Sequence, residues 1–409
     1  MAGNILYGFL CVRLLPIADY AKFVVVFAIQ GSLVVLMDVG ISGSLIPLIG
    51  GRIDDRQLIA DYVASLRQLA QWLFAIVAPL TVVAFPLLVR NRHWSWPTVA
   101  AMVAILLVSV WFARVGGAYG AVLIVRRDRR RWYQAQMVSS FGTLLLLLVF
   151  FALHWLNAFS AILINVSGIV YVALACYLRS RHLLSVTGVP SKEKRAAIIH
   201  FALPSIPSVM YFALQGPLSV MLITIFGRTA GVASVGAVSR LAQPFTLFAQ
   251  MNPLLIEPYF ASLPKERLKS HYFGAVAAAT CFGLAVIALA RIFPGAFLWI
   301  LGPKYAQLRF EVMLVMITGS MGLVGGIMAT INGARRFVYY WDNIARNILT
   351  LLVQIVFIWK ADLSNVRTVL WFGVASGLPS LLLQVLVAVY GFARGPRRIP
   401  GLDGYPERN

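Results

Sequence analysis

Apolar residues run in long blocks along this chain, and polar residues gather between them. A helix crosses the roughly 30 Å hydrocarbon core of a bilayer with about 20 mostly apolar residues. Twelve blocks meet or approach that length, over 1–15, 21–50, 69–89, 97–125, 134–153, 158–178, 201–227, 232–261, 272–293, 308–331, 344–359 and 369–391. The first is short for a span, because Arg13 follows so soon after Met1. The second and eighth are unusually long. The pattern predicts an all-α polytopic membrane protein of about twelve transmembrane helices.

The polar segments are too short for a separate soluble domain. The longest internal one, Arg179–His200, divides the chain in half. This predicts an N-lobe over 1–180, a cytoplasmic linker over 181–200, a C-lobe over 201–392 and a cytoplasmic tail over 393–409. The halves also look related. Laying Ala18–Val25 on Ala230–Ala237 sets Asp38 on Gln250 without any gap. Six spans per half is an even number, so the repeats are expected to run parallel around a central cavity.

Composition supports lipid as the solvent. Hydrophobic residues make up 60% of the chain and charged residues 12%. Soluble domains carry about 25% charge, so water alone cannot cover this surface. Yet the formal net charge is +21. Nucleic acid is one explanation of a basic chain. Basic loops on the cytoplasmic side are another, and they have a test. With both termini cytoplasmic, 22 Lys and Arg fall on the cytoplasmic side and 8 on the other. Most of the charge therefore reports topology, and no nucleic acid is expected. Trp94, Trp96, Trp132, Tyr133 and Trp359 fall at span ends, as interfacial aromatics do.

Ionisable residues inside spans are the informative ones, since each is costly in hydrocarbon unless it faces a bundle interior or a wet cavity. Asp38 lies mid-span, fourteen residues before Arg52. It serves as an ion-pair partner, a structural hydrogen-bond acceptor or a coupling carboxylate. Arg114 and Arg240 also lie deep and are candidates for a cationic cavity. Arg13 is a third, nearer a helix end, where snorkelling to the interface competes. Arg346 and Glu257, together with Gln250 opposite Asp38 in the repeat, are secondary candidates. Pro244 and Pro217 mark spans seven and eight as irregular. Gly116, Gly117 and Gly120, and likewise Gly322, Gly325 and Gly326, read as helix-packing faces. The five histidines and three cysteines are scattered without ligand spacing, so no metal site and no cofactor is expected.

Several motifs carry a family resemblance in order along the chain. Arg13-Leu-Leu-Pro16 and Ala18-Asp-Tyr20 open a span that carries Asp38-Val-Gly-Ile41. Phe201-Ala-Leu-Pro204, Val235-Gly-Ala-Val-Ser-Arg240 and Leu301-Gly-Pro-Lys-Tyr305 follow. This series resembles the Wzx-like polysaccharide flippases of the multidrug/oligosaccharidyl-lipid/polysaccharide exporter superfamily. Ile17 and Ala18 depart from that family's usual Gly-Pro turn. The resemblance implies two six-helix, MATE-like lobes in a bacterial inner membrane. It implies export of a glycan on undecaprenyl pyrophosphate by alternating access, with membrane lipids and polysaccharide polymerase or assembly proteins as partners. Arginine suits such a cargo, because its permanently charged fork matches phosphate oxygens. A multidrug cation exporter of the same superfamily is the competing reading, and it should prefer intramembrane acids. A membrane polymerase or acyltransferase is a third. It is disfavoured by the lack of a large periplasmic loop or a membrane-embedded histidine.

Overall fold

The computed structural model describes residues 2–394, apart from 51, 53, 127, 185–186, 204–205, 336 and 338. The described chain is a succession of helices: α1 (Ala2–Leu14), α2 (Ile17–Asp38), α3 (Leu45–Ile49), α4 (Arg56–Val89), α5 (Trp96–Val125), α6 (Arg129–Ala152), α7 (Ala158–Leu184), α8 (Lys192–Ala202), α9 (Ile206–Phe226), α10 (Thr229–Arg240), α11 (Gln243–Ser262), α12 (Lys265–Ile292), α13 (Pro294–Leu301), α14 (Arg309–Ala334), α15 (Tyr340–Lys360) and α16 (Val366–Arg394). Among the described residues, ten helices are long and apolar enough to cross a bilayer alone. They are α2, α4 to α7, α9, α12 and α14 to α16. The chain is a multi-pass membrane protein.

The two long expected spans are both interrupted, and local chemistry shows why. The helix expected to run through 21–50 stops at Asp38. Val39 and Gly40 then take positive φ, 42° and 79°, a left-handed conformation that cannot continue a right-handed helix. A 3-10 turn at Ser42–Ser44 and the short α3 follow. The helix expected over 232–261 breaks after Arg240. Leu241 and Ala242 donate to Val238 and Ser239 at 3.0 and 3.2 Å, which are i→i+3 bonds. Pro244 then falls in the first turn of α11, where its missing N–H costs nothing.

The helix register repeats along the chain. α2 begins at Ile17 and α10 at Thr229, the same offset that lays Ala18 on Ala230 in the sequence. The starts of α12, α14, α15 and α16 (Lys265, Arg309, Tyr340, Val366) follow those of α4, α5, α6 and α7 (Arg56, Trp96, Arg129, Ala158) at nearly that same interval. The repeat therefore lives in element spacing more than in residue identity.

The chain separates into two compact units, Met1–Ala233 and Ser234–Asn409. The first reaches past the 181–200 segment because α9 packs on α2. Ser32 Oγ donates to the Ala213 carbonyl at 2.5 Å. Arg92, in the turn after α4, donates through Nε to Thr224 O at 2.7 Å and through Nη2 to Ile223 O at 2.6 Å. These are carbonyls in the last turn of α9, whose negative end attracts a cation; Ile223 O also accepts from Gly227 N at 3.0 Å.

The 179–200 segment is mostly helix. α7 runs six residues beyond its expected end at 178, and α8 starts at Lys192. Asp61 of α4 anchors what lies between. It accepts from Val189 N at 2.9 Å and from Gln57 Nε2 at 2.8 Å, and it pairs with Lys194 Nζ at 2.5 Å. Gly188 lies so close to α4 that a Cβ there would run into the Ala60 carbonyl. Only glycine fits.

In the second unit α14 packs against α11, α12 and α16. Asn332 of α14 holds three helices together. It accepts from Tyr272 Oη of α12 at 3.3 Å and donates to Gln384 Oε1 of α16 at 2.9 Å. The expected glycine faces divide. Gly116 packs on Ala173 of α7, where an added Cβ would lie 3.5 Å from the Ala173 Cα, and one at Gly120 would lie 3.2 Å from Trp132 Nε1. Gly322 faces open space, so that part of the second face does not pack; Gly283 and Gly319 make the close approaches instead.

Candidate functional site

Arg114 is half-buried in α5, eleven residues before the helix ends at Val125. That distance is about 16 Å at the helical rise. Arg67, the more exposed of the two, lies eleven residues after α4 begins at Arg56, again about 16 Å from that end. One helix begins and the other ends at neighbouring loops, where Arg126 Nη1 reaches Asp54 Oδ1 at 3.5 Å. The two arginines are therefore at matching depth. Both lie near Tyr119. The Arg67 guanidinium lies 5.9 Å from the Tyr119 ring centroid, and the Arg114 guanidinium lies 3.7 Å from that of Trp111.

Neither arginine has a carboxylate partner among the described residues. Arg114 Nη1 is buried without a hydrogen-bond partner among them. On the same side, Arg195 of α8 donates to Gln68 Oε1 at 2.5 Å and lies 5.4 Å from the Trp72 ring centroid. Arg67 is exposed, so water or an anion reaches these charges. Sequence reasoning missed Arg67 and Arg195 because both count with the cytoplasmic loops. The extension of α4 back to Arg56 is what carries Arg67 inward.

The other candidates fall elsewhere. Asp38 is not mid-helix: it is the last residue of α2, and its Oδ1 accepts from Ser42 N at 3.1 Å. The carboxylate bridges the helix end to the following 3-10 turn, a local cap. Arg13 is exposed in the last turn of α1. Arg240 is 5% exposed and closes α10 at the break, rather than lying inside a continuous span. Glu257 is exposed on α11. The side chain of Gln250 lies outside the described residues, as does the tail beyond Arg394.

Arg346 belongs to a polar stripe that sequence reasoning saw only in part. Asp342, Arg346, Thr350 and Gln354 recur every four residues along α15, so they share one face. Asp342, Thr350 and Gln354 are buried. Arg346 donates to Asn343 Oδ1. Gln354 Nε2 reaches Ser376 Oγ of α16 at 3.1 Å. Asp342 Oδ1 and Thr350 Oγ1 are buried without hydrogen-bond partners among the described residues. The signal that could have found the stripe is the four-residue spacing of polar residues in an otherwise apolar span.

The first unit also holds a cavity of about 280 Å³ between α1, α5, α6 and α7. Its polar atoms come from Asn4, Gln136, Ser139, Thr143 and Asn165, and its rings from Tyr7, Phe112 and Trp132. Gly116, Gly117 and Gly168 also line it. At Gly168 a Cβ would come within 2.7 Å of Thr143 Cγ2. No acidic or basic side chain lines it. A cationic cavity was expected, and this one is neutral. The reason lies in the phase of α5. Residues 112, 113, 116 and 117 share the lining face, and Arg114 projects about 130° away from its middle at about 100° per residue.

No family model matches the chain, and no curated protein matches it by sequence. Solved structures do match. An inward-facing multidrug resistance MATE family transporter of the MOP superfamily aligns with a TM-score of 0.67 at 18% identity, over 96% of this chain and 93% of the other. The lipid II flippase MurJ in an inward closed conformation aligns with a TM-score of 0.64 at 10% identity, over 96% and 87%. A MOP superfamily transporter from Pyrococcus furiosus, described as having a binding pocket of reverse polarity, aligns with a TM-score of 0.54 at 16% identity, over 96% and 91%. Along nearly its whole length, this chain has the fold found in a MATE multidrug transporter and in a lipid II flippase.

Proposed function

We propose that this chain carries an undecaprenyl-pyrophosphate-linked oligosaccharide from the cytoplasmic to the periplasmic leaflet of a bacterial inner membrane. It does so by alternating access, with residues 1–180 and 201–392 as its two lobes and both termini cytoplasmic. The observation that carries the reading is the Arg67–Arg114 pair, two guanidinium groups at membrane depth with no carboxylate between them among the described residues. A pyrophosphate supplies the missing anion, and guanidinium forks match its oxygens in bidentate fashion. The fold similarity to MurJ supports a lipid cargo, and the similarities to transporters support a non-enzymatic role. Relative to the sequence expectation, Arg67 joins Arg114, while Asp38 becomes a cap.

One observation favours an organic-cation exporter instead, namely the buried Asp342 carboxylate in α15. A flipping assay separates the two. The full chain is reconstituted into liposomes with fluorescently labelled undecaprenyl-pyrophosphoryl sugar in both leaflets, and a membrane-impermeant reductant reports translocation. Wild-type protein is expected to flip the label. Arg67→Ala and Arg114→Ala should each slow it roughly ten- to hundred-fold, since a hydrogen bond to a charged group contributes about 1.5–3 kcal/mol. An inactive wild type, or full activity in both variants, rejects the assignment. Pyrophosphate-independent efflux of a cationic dye that requires Asp342 would establish the competing reading.

A further inference from the structure

The cavity between α1, α5, α6 and α7 is not explained by the arginine pair, which lies on another face of α5. Its lining restricts what it can hold. Gln136 and Asn165 present amides to it, and these make no hydrogen bond within the described protein. Asn4 accepts from Ser140 Oγ through Oδ1 at 3.3 Å, which leaves its NH₂ donors uncommitted. Other polar lining atoms are already engaged. Ser139 Oγ donates to Gly168 O at 2.9 Å, Thr143 Oγ1 to Ser140 O at 3.0 Å, and Tyr7 Oη to Ala161 O at 2.5 Å.

Three amides from three different helices thus line one space, Gln136 and Asn165 half-buried and Asn4 exposed, so a single occupant reaches all three. An acyl chain cannot satisfy them. With no acid or base in the lining, the cavity has nothing to neutralise a cation or an anion. An occupant must be uncharged and must both donate and accept hydrogen bonds, because each amide does both. It must also offer apolar faces to Tyr7, Phe112 and Trp132. At about 280 Å³ the space is at the small end of ligand pockets. It suits one ring and not a chain of them.

A pyranose ring meets all four conditions. Its hydroxyls donate and accept, its C–H faces stack on aromatic rings, it is neutral, and it is compact. We propose that this cavity is a monosaccharide subsite that takes one neutral sugar ring, with the Gln136 and Asn165 amides as its reading groups. As a role in transport, this rests on the glycan-flippase reading above; as a binding site, it does not.

The test uses the full chain in lipid nanodiscs and free methyl glycosides of glucose, galactose, rhamnose and N-acetylglucosamine, read by saturation-transfer-difference NMR. Wild type is expected to transfer saturation to the ring protons of at least one glycoside. Asn165→Leu and Gln136→Leu should each lower that transfer at least fivefold while leaving the thermal unfolding midpoint unchanged. Asn165→Ala replaces the leucine variant if that one unfolds. Arg67→Ala and Arg114→Ala should leave it unaltered, because neither lines the cavity. Absence of transfer from every glycoside, as for a cavity holding only water, overturns the subsite. So does transfer that persists in both cavity variants. No pyrophosphate enters this measurement, so its failure is distinct from failure of the flipping assay.

Discussion

Asp38 shows how a residue's meaning depends on where its helix stops. A carboxylate buried mid-span in hydrocarbon suggests an ion pair or a proton carrier. At the end of α2 the same carboxylate has a backbone N–H to accept from, that of Ser42 at 3.1 Å. The two roles predict different mutants. Asn retains an acceptor oxygen and loses the charge, so Asp38→Asn should keep near-wild-type stability and transport. Asp38→Ala loses the acceptor and should lower stability by about 1 kcal/mol, the usual contribution of a side-chain cap. Unfolding in detergent and the liposome assay read the two effects. Loss of transport with retained stability in Asp38→Asn would show that the charge itself is used. Arg114 is the opposite case: the sequence placed it deep, and the structure keeps it deep with one nitrogen buried and unpartnered among the described residues.

At the scale of elements, α15 carries the least expected feature. Its polar stripe is a helical period, legible once polar residues are counted by fours. Whether each residue is satisfied is not legible, because the partners come from other helices. Gln354 has Ser376 at 3.1 Å, whereas Thr350 Oγ1 has no partner among the described residues. Gln354→Leu should therefore destabilise by about 0.6 kcal/mol, the average for an interhelical hydrogen bond in a membrane bundle. Thr350→Val should be neutral or stabilising by up to about 1 kcal/mol, since removing a buried unsatisfied hydroxyl relieves its desolvation cost. Chemical unfolding in micelles compares the pair, and a larger loss for Thr350→Val would mean that its hydroxyl holds a water or a ligand. The breaks after Asp38 and Arg240 make a related point. Hydropathy sees one apolar block at each, whereas left-handed φ at Val39 and Gly40 and i→i+3 bonding before Pro244 divide them.

For the whole molecule, the strongest sequence-derived expectation is the sidedness of its charge. It yields a direct experiment. In a variant with Cys11, Cys176 and Cys281 replaced by Ser, single cysteines at Arg130 and Glu193 should react with an impermeant maleimide only from the cytoplasmic face. Cysteines at Trp94 and Ser364 should react only from the opposite face. Labelling of the first pair from outside intact cells would invert the topology and move the Arg67–Arg114 pair towards the periplasmic end. The element register also belongs to this scale. Helix starts recur at a nearly constant interval between the halves, although the residues themselves barely repeat. Packing constrains helix length and order more tightly than it constrains which apolar residue fills a position.

Sequence by itself determined that this is a helical membrane protein and roughly where its spans fall. Those properties follow from solvent. Hydrocarbon demands runs of about 20 apolar residues and expels charge from them, and both effects are local in the chain. Tertiary structure decided what the exceptional residues do. It set Arg67 and Arg114 at matching depth on neighbouring helices, turned Asp38 into a cap, and set a neutral, amide-lined cavity on the face of α5 that Arg114 does not use. Those outcomes depend on the phase of each helix and on which neighbour it meets. A rotation of about 100° per residue separates a cavity wall from a charge pair on the same turn, and only the packing of α1, α4, α6 and α7 around α5 assigns each face its partner.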